Sequence, residues 1–197
     1  FRLKNQLKNK NIKVDDNKQL YVYLPCDVGG SPGGICFVLN LLFGDNVHCF
    51  FAEPTHSPAM LLGMITGEHD KISVQDFGID NITAADGLAV GTPSAFVGKM
   101  MENMLSGIYT IEDDILFVLL AELKDEIGFD LEPSALAGFP GVARLYKDKN
   151  AIDYLNKNNT NNSNKNSTHI VWSTGGSMVP KNIQDKYYKK GKKLINK

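Results

Sequence analysis

The feature that most constrains the fold is a glycine loop between an apolar strand pattern and an apolar helix pattern. The apolar run 20–24 leads into a loop, residues 25–34, that contains four glycines, and residues 35–43 then read as a helix. This order presents backbone N–H groups and the positive end of a helix dipole to an anion. The same order also makes a tight strand-to-helix turn without a ligand, and the residues alone leave both interpretations open.

A second buried strand is predicted at residues 47–52, which are continuously apolar, as in parallel strands covered on both faces. Strand, helix and strand within about thirty residues form a βαβ unit. Glu53 follows the second strand directly. Because ligands of open α/β sheets bind at the carboxyl ends of strands, we expect Glu53 to lie beside the glycine loop and to have a functional role. A solvated loop charge is the alternative interpretation of Glu53. For His56, a capping or packing role is the alternative to a functional one.

The remaining elements follow from local patterns. They are a helix over 1–10, a helix capped by Ser57 through residue 64, a short strand at 72–74, a turn at 84–90, a helix over 94–105, a strand at 108–111, a helix capped by Thr110 and Asp113 that ends at Gly128, a helix over 135–145, a mobile asparagine-rich loop at 156–167, a strand at 169–172 and a lysine-rich helix after Pro180. In the helix over 94–105, Phe96, Val97, Met100, Met101 and Met104 are predicted to share one side.

Composition excludes several classes of function. The 197 residues form one domain or a large part of one, and the net charge of −1 gives no electrostatic case for binding nucleic acid or an anionic membrane. The three cysteines, Cys26, Cys36 and Cys49, are predicted to be buried thiols of a reducing compartment. No apolar run reaches the roughly 18 residues that span a bilayer. We therefore expect a cytoplasmic protein.

Five motifs resemble bacterial D-serine dehydratase (D-serine ammonia-lyase). They are Tyr-Leu-Pro-Cys-Asp-Val-Gly-Gly-Ser-Pro-Gly-Gly (23–34), Cys-Phe-Phe-Ala-Glu-Pro-Thr-His-Ser-Pro (49–58), Ser-Val-Gln-Asp-Phe-Gly-Ile-Asp-Asn-Ile-Thr-Ala-Ala-Asp-Gly-Leu-Ala-Val-Gly (73–91), Leu-Glu-Pro-Ser-Ala-Leu-Ala-Gly (131–138) and Val-Trp-Ser-Thr-Gly-Gly-Ser-Met-Val-Pro (171–180). The resemblance covers the chain apart from the asparagine-rich tract. It implies a pyridoxal-phosphate enzyme of the tryptophan synthase β-subunit-like fold, a three-layer α/β sandwich with a mostly parallel sheet.

The resemblance also implies roles for individual residues. The phosphate of pyridoxal 5'-phosphate would be held by Gly29, Gly30, Ser31, Gly33 and Gly34. Thr174 would face the pyridine nitrogen. Glu53 and Glu132 match acidic positions near a cation or the cofactor ring, and Asp86 and Gly87 match a turn beside the cofactor. Ala59 stands where some relatives have a further acidic ligand, which favours a monovalent cation (K⁺ or Na⁺) over a divalent one.

Two departures from the family pattern accompany the resemblance. Asp27 and Ser31 stand where the family has glycine, and the Asp27 carboxylate would lie near a dianionic phosphate. The family places its cofactor-linking lysine in an N-terminal part. The chain, which starts at Phe1 inside a helical pattern, is therefore expected to be the C-terminal part of the cofactor-binding domain and to be inactive alone.

Three functions remain open from the sequence. The first is the β-elimination of D-serine, a small-molecule substrate, to pyruvate and ammonia by the complete enzyme. The second is a related dehydratase acting on L-serine or threonine. The third is a non-catalytic remnant in which the glycine loop is only a turn. A nucleotide-binding loop is disfavoured, because no Gly-Lys-Ser/Thr follows the glycines. The oligomeric state is left open.

Overall fold

A four-stranded parallel sheet forms the centre of the computed structural model, which describes residues 2–158 and 166–196. The strands are β1 (Leu20–Pro25), β2 (Val47–Pro54), β3 (Leu105–Ile111) and β4 (Thr168–Val171), in the order β3-β2-β1-β4. Every neighbouring pair is parallel. The predicted α/β class with a parallel sheet is therefore confirmed.

Eight α-helices accompany the sheet within the described residues. They are α1 (Arg2–Asn9), α2 (Gly30–Phe43), α3 (Ala59–Thr66), α4 (Ala95–Met101), α5 (Asp113–Ile127), α6 (Pro140–Leu145), α7 (Lys149–Lys157) and α8 (Lys181–Ile195). None of the helices in residues 2–158 and 166–196 is long and apolar enough to cross a membrane.

The two faces of the sheet carry separate parts of the core. Leu20, Val22 and Leu24 of β1 pack on one face with side chains of α2 and α4. On the opposite face, Tyr21 and Tyr23 pack with residues of α6 and α7. Because all six residues of β1 are buried, this strand is the centre of the sandwich. Its continuous apolar sequence is the pattern that a strand covered on both faces requires.

Several predicted elements were wrong in extent. Residues 74–77 form a 3₁₀ turn where a short strand was predicted at 72–74. The predicted helix over 94–105 ends at Met101, because residues from 105 onward pair with β2. Its apolar side was also misassigned, since Phe96 is 76% exposed whereas Val97 is buried.

The predicted helix over 135–145 is divided into a 3₁₀ turn, Pro133–Leu136, and the helix α6. The division falls at Gly138, which packs against β1: a Cβ atom at this position would lie 2.9 Å from the carbonyl oxygen of Tyr23. Of the loop predicted at 156–167, residues 156 and 157 belong to α7, and residues 159–165 lie outside the described residues.

The long helices α5 and α8 pack at very close range. Gly191 of α8 faces the carbonyl oxygen of Phe117, and a Cβ atom at Gly191 would overlap that oxygen. The same Cβ would lie 2.8 Å from the Cβ of Ala121. Gly191 is therefore required by the approach of the two backbones.

We expect Gly191→Ala to lower the free energy of unfolding by about 1–3 kcal/mol, because α8 must move away from α5. Gly34→Ala is the matched control, since a Cβ atom at Gly34 would meet no atom within 4 Å. It should raise stability by up to about 1 kcal/mol, through the higher helix propensity of alanine. Urea denaturation of both variants measures the difference. Equal effects of the two substitutions would refute this packing argument.

Candidate functional site

The parallel sheet brings the predicted site residues to one edge. β1 lies between β2 and β4, so the loop that follows β1 lies between the carboxyl ends of those two strands. Glu53 lies at the end of β2, and residues 172–176 follow β4. The predicted proximity of the glycine loop and Glu53 is therefore confirmed at the level of strand order.

Gly29 and Gly33 face the protein interior. Gly29 has a φ of +103° and precedes α2, and both residues are buried. A Cβ atom at Gly33 would lie 2.6 Å from Cγ1 of Val97, and one at Gly29 would lie 3.0 Å from the same atom. These two glycines allow α2 to pack directly against α4.

Gly30, Ser31 and Gly34 are on the opposite, exposed side of the loop. A Cβ atom at Gly30 or Gly34 would meet no atom within 4 Å. The N–H groups of Gly30 and Ser31 lie in the first turn of α2, where a helix offers its own amides no acceptor. Open space beside free N–H groups at the positive end of a helix fits a phosphate group. The loop therefore has the chemistry that the phosphate of pyridoxal phosphate needs.

Asp27 lies at the entrance to this loop and is half-buried. Its Oδ1 accepts a hydrogen bond of 3.1 Å from the N–H of Gly29. The carboxylate thus shapes the turn and also occupies one N–H of the loop. It lies at the entrance to the loop where the family resemblance predicts the cofactor phosphate.

Glu53 is fully buried and caps helix α3. Its two carboxylate oxygens accept hydrogen bonds from the N–H groups of Met60, at 2.8 Å, and Leu61, at 2.9 Å. Burial raises the pKa of Glu53 to about 8, while these two hydrogen bonds lower it. The alternative of a solvated loop charge is therefore excluded, and two hydrogen bonds hold the carboxyl at the edge of the sheet.

The side chain at Ser57 does not cap α3, contrary to prediction. Ser57 is buried, and its Oγ accepts a hydrogen bond from the N–H of Val90 at 2.9 Å. The hydroxyl also lies within hydrogen-bond distance of Oδ1 of Asn81 and of the carbonyl oxygens of Leu88 and Val90. Ser57 therefore holds the segment around residues 81–90 beside the end of β2.

Asp113 also binds a segment that is distant in sequence and does not cap a helix. Its carboxylate accepts hydrogen bonds from the hydroxyl of Thr83 and from the N–H of Ala84, at 2.5 and 2.6 Å. The predicted cap of α5 by Thr110 and Asp113 is therefore wrong, and the N-cap residue is Glu112. Because Asp113 and Ala84 are far apart in sequence, no local signal revealed this contact.

His56 has an acidic partner that sequence reasoning missed. Its Nδ1 lies 2.8 Å from Oδ1 of Asp80, and both side chains are about half exposed. The hydrogen bond with Asp80 raises the pKa of His56. His56 lies on the loop after β2 and Asp80 on the loop after the 3₁₀ turn at 74–77, and both are outside the core, so neither the capping nor the packing interpretation of His56 describes the pair.

Four more predicted residues lie in one region at the second glycine-rich strand end. Thr174 is exposed after β4. Oε1 of Glu132 lies 2.6 Å from the position that a Cβ atom of Gly175 would occupy. The N–H of Gly87 donates to Oγ of Ser134 at 3.1 Å, and Asp86 and Glu132 line one cleft of about 320 Å³. Thr174, Glu132 and the Asp86-Gly87 turn therefore lie on the β4 side of the site.

Within residues 2–158 and 166–196, no group of three or more His, Cys, Asp or Glu side chains is placed to hold a metal ion. Both carboxyl oxygens of Glu53, the acidic side chain at the end of β2, accept hydrogen bonds from backbone N–H groups.

The sequence matches known proteins over most of its length. A family model described as "Pyridoxal-phosphate dependent enzyme" matches residues 6–154. The probable D-serine dehydratase of Geobacillus stearothermophilus is 58% identical over 194 residues, which cover 98% of this chain and 42% of that protein. The probable D-serine dehydratase of Bacillus mycoides is 59% identical over 196 residues, 100% of this chain and 44% of that protein. The chain thus spans less than half the length of these relatives.

Solved structures share the fold at low sequence identity. Diaminopropionate ammonia lyase from Escherichia coli superposes with a TM-score of 0.70 at 17% identity, over 96% of this chain and 45% of that chain. A fungal L-serine ammonia-lyase from Rhizomucor miehei gives 0.68 at 18% identity, over 94% of this chain and 53% of that chain. These similarities establish the architecture.

The raised pKa of Glu53 gives a pH dependence of stability. The folded state binds this proton more tightly than the unfolded state, whose glutamate titrates near 4.5. The contribution is fully present below pH 4.5 and is lost as the pH rises toward 8, at ~1.4 kcal/mol per pH unit.

Glu53→Gln should remove this dependence, measured as the difference in unfolding free energy between wild type and variant from pH 4.5 to 8. Glu122→Gln, at an exposed position of α5, is the control and should retain the wild-type profile. A constant difference between wild type and Glu53→Gln across this range would show that the buried carboxyl stays ionised.

Proposed function

The chain belongs to the pyridoxal-phosphate dependent enzyme family, and from this premise we propose that it is part of a D-serine dehydratase. The complete enzyme converts D-serine to pyruvate and ammonia by β-elimination. The observation that carries this proposal is the identity of 58% and 59%, over nearly the whole chain, to proteins named for that reaction. The glycine loop and the strand ends of the site lie within the matched region.

The residues of the glycine loop would hold the cofactor. Gly30, Ser31 and Gly34 would face the phosphate on the open side, while Gly29 and Gly33 let α2 approach α4. Pyridoxal phosphate would supply an electron sink for the carbanion chemistry. Thr174 would face the pyridine nitrogen, where a hydroxyl partner would leave that nitrogen unprotonated and favour β-elimination over other outcomes.

Glu53 would contribute to a site for a monovalent cation, K⁺ or Na⁺. A cation beside a buried carboxyl favours its ionised form and offsets the cost of burial. Ala59 supplies no second acidic ligand, which disfavours a divalent ion. Asp86, Gly87 and Glu132 would line the β4 side of the cofactor.

The lysine that links the cofactor to the protein would lie in the portion that the relatives have beyond this region. The matched region is 42% and 44% of two relatives, which leaves ample length for it. The chain alone is therefore inactive, and the assay requires the complete protein. A cytoplasmic location fits a small polar amino acid as substrate.

A related dehydratase acting on L-serine or threonine is the second candidate. It is favoured by the fold shared with the L-serine ammonia-lyase of Rhizomucor miehei. A non-catalytic remnant is the third, and the carboxylate of Asp27 at the loop is the observation in its favour.

The activity is tested on a complete protein, made by joining this chain to the portion of a relative that this chain does not match. We expect pyruvate release from D-serine, with at least about tenfold lower kcat/KM for L-serine and threonine, a difference of ~1.4 kcal/mol in transition-state binding. Preference for L-serine or threonine would establish the second candidate. A folded, cofactor-loaded protein that acts on none of the three substrates would establish the third candidate, a non-catalytic remnant.

The charge of Asp27 should weaken cofactor binding. Asp27→Asn keeps an oxygen that accepts the N–H of Gly29 but removes the charge, so the turn is preserved. We expect the affinity of the complete protein for pyridoxal phosphate to rise several-fold, since like charges at close range cost on the order of 1 kcal/mol in water. Asp27→Gly should act in the same direction.

Titration of pyridoxal phosphate followed by absorbance measures this affinity, with pyridoxal, which lacks the phosphate, as the control ligand. Affinity for pyridoxal should not change in Asp27→Asn. Unchanged or weaker binding of pyridoxal phosphate by both variants would contradict the proposed repulsion.

A further inference from the structure

Helix α2 is apolar on its outer face as well as on the face that packs on the sheet. Cys36 and Leu39 are buried against β1 and β2. On the outer face, Phe37 is 37% exposed, Val38 39% and Leu41 70%. A helix that covers a sheet normally presents charged or polar residues to solvent. The outer face of α2 is therefore typical of a helix that is covered on both sides.

An apolar groove adjoins this face. It has a volume of about 410 Å³ and lies between α1, α2 and the residue after β4, with Leu3, Ile35, Val38, Leu42 and Trp172 among its walls. Ser31 and Gly34 line the same groove. The apolar surface is thus continuous along α2 with the loop assigned to the cofactor phosphate.

We propose that the outer face of α2 is the docking surface for the rest of the complete protein, the portion that the relatives have beyond this region. This inference rests on the proposal that the chain is part of a longer enzyme. The matched region covers 42% of one relative and 44% of another, so more than half of each has no counterpart in this chain. Large exposed apolar patches mark interaction sites, and α2 offers the rest of the complete protein a contiguous apolar surface.

The apolar side chains of α2 continue along the helix from the open side of the glycine loop. Gly30 and Gly34 leave the space there to the cofactor phosphate, since a Cβ atom at either position would meet no atom within 4 Å of this chain. Phe37, Val38 and Leu41 follow these glycines along the helix and are exposed. The docked part therefore binds mainly through these three apolar side chains, beside the phosphate loop.

The experiment co-expresses this chain with a tagged copy of the portion of the Bacillus mycoides relative that it does not match. The amount of chain that co-purifies, and its loss on dilution, report the affinity. We expect Leu41→Asp and Val38→Asp to weaken the association at least about tenfold. Ile65→Asp is the matched control, since Ile65 of α3 is 73% exposed but lies away from the groove. It should change the association less than about twofold.

Folding is checked separately by the thermal unfolding of each variant. Because Leu41 is 70% exposed, Leu41→Asp should leave the melting temperature of the chain close to that of the wild type. Association unchanged in Leu41→Asp and Val38→Asp, or weakened equally in Ile65→Asp, would overturn the proposal. A chain that dimerises by itself, with Leu41→Asp abolishing the dimer, would assign the face to a second copy and would also overturn it.

The outcome is separable from that of the proposed function. A reconstituted pair that associates through α2 but does not release pyruvate from D-serine would refute the dehydratase assignment and leave the docking surface intact. A pair that releases pyruvate from D-serine, and in which Leu41→Asp and Val38→Asp associate normally, would support the dehydratase assignment and refute the docking surface.

Discussion

The parallel pairing of β1 with both β2 and β4 is the constraint on which the site depends. The pairing continues past the strand ends: the N–H of Cys26 donates to the carbonyl of Ala52 at 2.9 Å, and the N–H of Trp172 donates to that of Tyr23 at 3.0 Å. These bonds fix where each loop leaves the sheet. The glycine loop, Glu53 and Thr174 come together because their strands are neighbours in this register, although the residues span most of the chain.

Glu53 connects the stability of the fold to the chemistry of the site. Two amide donors at the start of α3 hold its carboxyl in place, and these same donors favour the ionised form. Burial favours the protonated form, and the pKa rises to about 8 because burial has the larger effect. The folded chain therefore binds a proton at Glu53 more tightly than the unfolded chain does.

The sequence patterns predicted the central elements well, because those elements are determined by local physics. The continuous apolar runs of β1 and β2, the glycine loop and the end of α5 at Gly128 all follow from residues within one element. The neighbouring positions of the loop and Glu53 also followed, since adjacent parallel strands share a carboxyl edge.

The errors occurred where contacts distant in sequence decide the structure. Ser57 and Asp113 have the composition of helix caps, but each binds the segment around residues 81–90 instead. The division of the predicted helix over 135–145 arises from the close approach of Gly138 to β1. The Asp80 partner of His56 likewise became visible only in three dimensions. The roles of individual site residues came from the family resemblance and stay predictions.

The central claim, that the open side of the glycine loop binds the cofactor phosphate, is tested most directly by phosphorus-31 NMR of the complete protein loaded with pyridoxal phosphate. The account predicts a bound phosphate that stays dianionic, with a resonance that does not titrate around pH 6, the usual second pKa of a phosphate ester. It also predicts that Ser31→Ala shifts this resonance. A signal that titrates like free pyridoxal phosphate and is unchanged by Ser31→Ala would contradict it.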